Sequence, residues 1–141
     1  MRVLIADDHE IVRRGVRSIL ESRGDTNICL EASNGQEAVQ RVAECKPDLV
    51  ILDHSMPVLD GLGAASKIRK IMPEVPIIML SMHDGPQLIQ ELRLIGAQGF
   101  VPKAECAERL NEGIDAVMRG ETFFSEEKTF RSGPLQEAVE D

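Results

Sequence analysis

Residues 47–61 read PDLVILDHSMPVLDG, and the four aliphatic side chains at its centre decide the fold. Leu49-Val50-Ile51-Leu52 is an unbroken apolar run between Pro47 and the acid Asp53. A strand with one wet face alternates apolar and polar residues; a continuous run reads as a strand covered on both faces. The same kind of run appears on either side of it. Val3-Leu4-Ile5-Ala6 opens the chain, Ile28 to Ala32 is a weaker version, Ile77-Ile78-Met79-Leu80 follows Pro76, and Gly99-Phe100-Val101-Pro102 is a short last one. Pro102 suits a sheet edge, where no ladder donor is missed.

Between these runs the apolar spacing turns helical. Ile11, Val12, Val16, Ile19 and Leu20 share one face, and Gly24 closes that helix. Ala38, Val42 and Ala43 follow Asn34-Gly35; Leu62, Ala65, Ile68 and Ile71 follow Asp60-Gly61. Asp84-Gly85-Pro86 reads as a cap and early-turn proline before Leu88, Ile89, Leu92 and Ile95, and Leu110, Ile114, Val117 and Met118 line a final helix ended by Gly120. Strands alternating with helices predict a parallel sheet with right-handed crossovers and helices on both faces. About five such units fit an open doubly wound α/β sheet of strand order 2-1-3-4-5, since a barrel takes eight.

Composition narrows the function. The 141 residues suffice for one core, and no apolar run approaches the roughly 18 residues of a membrane span. A net charge of −8 opposes a nucleic-acid surface; the densest basic group is Arg13, Arg14 and Arg17 on one helix. No Trp or Tyr is present for stacking on bases or sugars. Cys29, Cys45 and Cys106 are widely spaced without a metal-like pattern, as reduced thiols of a cytoplasmic protein would be.

The chemistry lies at the strand ends. Asp7 and Asp8 follow the first strand and Asp53 ends the third. In order 2-1-3-4-5 those strands are neighbours where the winding reverses, the crevice in which such sheets bind ligands. Carboxylates crowded there repel by about 1 kcal/mol per pair even in water-like surroundings, so they call for a cation or shared protons. All-oxygen ligands favour Mg2+ over zinc. Singly, these acids are equally well loop residues capping the next helix; their convergence argues for a site. Lys103 follows the last strand at the same edge, as a counter-ion or phosphoryl ligand. Ser81 ends the fourth strand, as a helix cap or a donor to a phosphoryl oxygen.

The segments VLIADDHEIVRRG, PDLVILDHSMPVLDG, PIIMLSMHD and GAQGFVPKA closely resemble response-regulator receiver domains of bacterial two-component systems, from residue 2 to about 120. LSMHD and GFVPKA look most like the NarL/FixJ (LuxR-type) subfamily. The resemblance implies a flavodoxin-like five-stranded receiver domain over residues 1–120, with residues 121–141 as linker or tail. It implies that Asp53 takes a phosphoryl group from a sensor histidine kinase and slowly loses it, with no other enzymatic activity. Asp8, Asp53 and the Ser55 backbone carbonyl would ligate Mg2+, with Asp7 acting mainly through a water. Lys103 and Ser81 would hold phosphoryl oxygens, and Phe100 with Ser81 would form the switch. Homodimerisation on phosphorylation is common in this family.

Some positions depart from its commonest pattern. Ser81 stands where Thr is usual, Phe100 where Tyr is frequent, and Met82 where many receivers have a small residue, narrowing access. Ser55 and His83 occupy the two rim positions expected to govern hydrolysis. His9, His54 and His83 border the site without metal-ligand spacing and read as rim residues. An aspartyl-phosphate phosphatase using Asp7 is the alternative; it usually carries a second acid where this chain has His9. A flavodoxin-like FMN carrier would need a hydroxyl-rich phosphate loop. GETFFSEE resembles the start of a linker to a helix-turn-helix domain, and the acidic stretch after Lys128 is too short for one. The expectation is a receiver module of a longer transcription regulator, or a stand-alone receiver with a short tail, binding neither DNA nor membrane by itself.

Overall fold

A computed structural model describes residues 1–82 and 86–125. Its elements run β1 (Arg2–Ala6), α1 (Glu10–Glu21), β2 (Asn27–Ala32), α2 (Gly35–Cys45), β3 (Leu49–Asp53), α3 (Gly61–Ile71), β4 (Ile77–Ser81), α4 (Pro86–Ile95), β5 (Gly99–Pro102), a 3-10 turn (Lys103–Glu105), α5 (Cys106–Met118) and β6 (Phe123–Phe124). The sheet order is β2-β1-β3-β4-β5-β6, parallel throughout. The expected order 2-1-3-4-5 is present, with a sixth strand added beyond β5. That strand falls in the stretch read from sequence as the start of a linker. The cap at Asp84, His83 and residues 126–141 lie outside the described residues.

Period-2 alternation sorts each strand between two apolar layers. Leu4, Val50, Leu52, Ile77, Met79 and Phe100 face α2, α3 and α4; Val3, Ile5, Leu49, Ile51, Ile78, Leu80 and Val101 face α1 and α5. Every residue of β3 and β4 is buried, which is why those runs carry no polar side chain before their last position. Asn34 and Asp60 cap α2 and α3, each side chain accepting from a backbone amide three residues on.

The sixth strand corrects one reading. Gly99 pairs with Phe123 and Phe100 with Phe124, so β5 is not the sheet edge. The pairing ends at Phe100, and Pro102 still needs no donor on that side. Phe123 packs against α5, where a Cβ on Gly113 would stand 3.0 Å from its ring. Phe124 joins the opposite layer with Phe100, and Arg93 lies over its ring at 4.4 Å.

Candidate phosphoacceptor site

The carboxyl ends of β1, β3, β4 and β5 bring together residues scattered over the sequence. Ala6 pairs with Leu52, Asp53 with Leu80, and Ser81 with Pro102. Asp7 therefore emerges beside Asp53, and Lys103 one residue beyond Ser81's partner. Gly61 fixes the floor: its amide donates to the His54 carbonyl at 2.9 Å, and a Cβ there would lie 2.3 Å from the Asp53 carbonyl oxygen. Only glycine lets α3 begin so close to the end of β3.

Ligand atoms of Asp7, Asp8, His9 and Asp53 lie within 4.8 Å of one another. Lys103 Nζ sits 3.0 Å from Asp7 Oδ2 and 3.0 Å from Asp53 Oδ1. Asp7 and Asp53 are 1% exposed, so these charges meet largely out of water. Burial raises the Asp53 carboxyl above its ordinary value, with the Asp7 charge pushing the same way and Lys103 opposing. Burial by itself would lower the Lys103 ammonium, but its contacts with Asp53 and Asp7 outweigh that and raise it.

Three carboxylates face one ammonium, so the group keeps an excess of negative charge. Asp7 Oδ2, Asp8 Oδ1 and Asp53 Oδ2 are buried with no hydrogen-bond partner among the described residues, Asp7 Oδ2 having the Lys103 ammonium at 3.0 Å as its ion pair. Orphaned hard oxygens around an uncompensated negative charge fit a divalent cation of the Mg2+ type. The capping explanation for Asp7 and Asp8 fails, because the N-cap of α1 is His9 and no side chain caps it. Asp7 Oδ1 instead accepts from the His9 amide at 2.8 Å.

The other expected residues are close by. The Ser55 amide donates to Asp53 Oδ1 at 3.3 Å. Ser81 is buried, with its hydroxyl 3.4 Å from His54 Nδ1. Phe100 is wholly buried beside Met79 and Phe124, behind the site. Met82 is 78% exposed and occupies none of the buried space at the site.

His9 stands at the rim as read from sequence, 67% exposed, with Nδ1 3.1 Å from Asp8 Oδ1 and 3.5 Å from Asp7 Oδ1. One contributor escaped the sequence reading. Arg13 Nη1 donates to the Asp7 carbonyl at 2.6 Å, and its Nε to Glu31 Oε1 at 3.1 Å. Arg17 also grips Glu31, at 2.9 Å. Arg13 thus anchors the β1–α1 loop to β2, and Arg17 ties α1 to the same acid.

A parallel sheet with an acid cluster and a lysine at its switch point suits phosphoryl chemistry beside a divalent cation. The family model described as response regulator receiver domain matches residues 3–115, and the chain belongs to that family. It is a receiver domain of two-component response regulators of the NarL/NreC type. Such domains are signalling switches rather than classical enzymes, bind Mg2+ and pair with sensor histidine kinases. Oxygen regulatory protein NreC of Staphylococcus haemolyticus is 40% identical over 124 residues, covering 87% of this chain and 57% of that protein. A LuxR-family response regulator from Aurantimonas superposes with a TM-score of 0.84 at 31% identity, covering 88% of this chain and 89% of the other. The signal receiver domain of NarL from Mycobacterium tuberculosis gives 0.79 at 29%, covering 85% and 97%. The chain spans 57% of the length of the curated relative. Among the described residues no helix is long and apolar enough to cross a membrane.

Proposed function

We propose that Asp53 is the phosphoacceptor and that Lys103, Ser81 and the Asp7–Asp8 pair serve its phosphorylation. One observation carries this reading: Lys103 stands 3.0 Å from both Asp7 and Asp53 while Asp53 Oδ2 is buried without a partner. A carboxylate beside a fixed ammonium and a cation site suits phosphoryl transfer, which needs alignment and charge neutralisation more than covalent help. An Asp53 carboxylate oxygen attacks the phosphorus of a kinase phosphohistidine; the O–P bond forms as the P–N bond breaks, and the imidazole leaves with the electron pair. Lys103 shifts from the carboxylate toward a phosphoryl oxygen, and Ser81 donates its hydroxyl to another. Asp8, Asp53 and the Ser55 carbonyl would hold Mg2+, with Asp7 acting mainly through a water, and the bound cation would supply neutralisation of phosphoryl charge. Water at the same phosphorus later returns Asp53 to the free acid.

Phe100 already lies inside the core, so the switch is a repacking of Ser81 and Phe100 rather than an entry of the ring from solvent. It alters the surface of α4, β5 and α5, and homodimerisation on phosphorylation is one output of such a change. By likeness to NreC, of which this chain covers 57%, the output is transcription in the cytoplasm through a DNA-binding domain distinct from this receiver, which alone binds no DNA.

Incubation with acetyl phosphate and Mg2+ tests the assignment. One phosphoryl mass is added, and peptide mapping finds it on Asp53, as a hydroxamate after hydroxylamine trapping. Asp53→Asn removes it. Labelling on Asp7, or undiminished labelling of the variant, overturns the reading.

A further inference from the structure

Away from the carboxylate cluster, two thiols meet. Cys29 Sγ and Cys45 Sγ lie 2.7 Å apart, one on the edge strand β2 and the other on the last residue of α2. The strand register explains the encounter. Against β1, Ile28 pairs with Val3 and Leu30 with Leu4, which leaves Cys29 as an extra residue, a bulge. In an unbroken strand Cys29 would face away from Leu30. Here Ile28 packs in the α1/α5 layer while Cys29 and Leu30 both pack in the α2/α3/α4 layer. Alternation from Ile28 puts the thiol on the face that α2 covers, and the bulge lets Leu30 share that face beside it.

The helix end is fixed just as firmly. Lys46 takes a left-handed φ of 46° and stops α2 at Cys45. The Arg2 guanidinium donates to the Cys45 carbonyl. Both sulfur-bearing residues are thus held by backbone features.

We propose that Cys29 and Cys45 form an oxidisable dithiol site that closes to an intramolecular disulfide on reaction with a hydroperoxide, tying β2 to α2. Cys29 is half-buried and Cys45 only 9% exposed, so Cys29 meets the oxidant first. Its sulfur attacks the peroxide, the O–O bond breaks, and a sulfenic acid and one molecule of water or alcohol result. Cys45 sulfur then attacks the Cys29 sulfur; the S–S bond forms, the S–O bond breaks, and the hydroxyl leaves with the Cys45 proton as water. Two electrons pass from the sulfurs to the peroxide. Burial and the contact with Cys29 push the Cys45 thiol up to about 12, the Arg2 charge opposing. A thiol so protonated is inert alone and reacts through the neighbour that takes its proton. Cys106 lies on α5, against the other layer, and has no part in the pair.

The test uses the full chain carrying Cys106→Ser, reduced, then exposed to hydrogen peroxide while folded. The monomer loses the mass of two hydrogen atoms, titratable thiols fall from two to none, and mapping without reductant links the peptides of residues 29 and 45. Dithiothreitol reverses all three. Cys29→Ser and Cys45→Ser, shown to be folded by circular dichroism, lose the cross-link. Thiols that persist after peroxide, sulfinic acid on Cys29 without a link, or links only between chains would each overturn the proposal.

Discussion

Lys103 Nζ lies 3.0 Å from Asp53 Oδ1, a pairing across 50 residues of sequence that joins the end of β3 to the turn after β5. The side chain of Lys103 is 10% exposed, so this cation holds the buried acids where water does not. The relationship governs both the stability of the resting domain and the readiness of Asp53 to react.

Lys103→Met should therefore destabilise the domain in EDTA at neutral pH by about 3 kcal/mol, the cost of leaving buried charge without its partner. The variant should also resist phosphorylation by acetyl phosphate. Urea unfolding followed by far-ultraviolet circular dichroism checks the first part, a signal suited to a chain without Trp or Tyr. A midpoint equal to the parent's would mean that the acids do not depend on this ammonium.

The pH dependence has a definite sign. The folded carboxyl of Asp53 is raised above its ordinary 3.8 by burial first. Its contribution to stability is thus fully present below pH 3.8 and is lost as pH rises through the folded value. Asp53→Asn, which cannot ionise, should match the parent in acid and exceed it at pH 7 in EDTA by on the order of 1 kcal/mol, from relieved repulsion with Asp7. Thermal melts across that range decide it. A variant that is less stable at pH 7 refutes the sign. Mg2+ should raise the parent's melting temperature and leave the variant's nearly unchanged.

Arg13 is predicted to act through the backbone. Its guanidinium holds the Asp7 carbonyl at 2.6 Å and Glu31 at 3.1 Å. Arg13→Ala should weaken Mg2+ binding about tenfold by loosening the loop that carries Asp7 and Asp8, while Arg14→Ala, on the same helix and paired with Glu10 at 3.7 Å, should not. Calorimetric Mg2+ titration of both variants separates the cases. Equal affinities would assign Arg13 a structural role alone.

The last prediction concerns β6. Phe124 is 5% exposed and fills the layer that holds Phe100, so Phe124→Ala should cost about 3 kcal/mol. A chain ending at Gly120 loses both phenylalanines and should be destabilised at least as much. Urea midpoints for the two proteins test this, and a truncated chain as stable as the parent would place the domain boundary before β6.

The sequence by itself determined the layered sheet and the acid cluster. Continuous aliphatic runs at 3–6, 49–52 and 77–80 leave no polar face to solvate, and Asp7, Asp8, Asp53, Ser81 and Lys103 all stand where such a run ends. In a parallel sheet every run ends at the same edge, so their convergence needed only the strand order. Pairing between side chains was decided elsewhere. Arg13 and Glu31 follow no period that distinguishes them from solvated charges, and only the packing of α1 against β1 and β2 sets them on the Asp7 loop. Two residues cannot display a period, so β6 shows only once Phe123 and Phe124 have opposite layers to fill. Cys29 and Leu30 share the face that meets Cys45 because of one extra residue in the register of β2. Strand register is an agreement between two segments, and a shift of one residue reverses which face a side chain meets, so neither segment alone contains it.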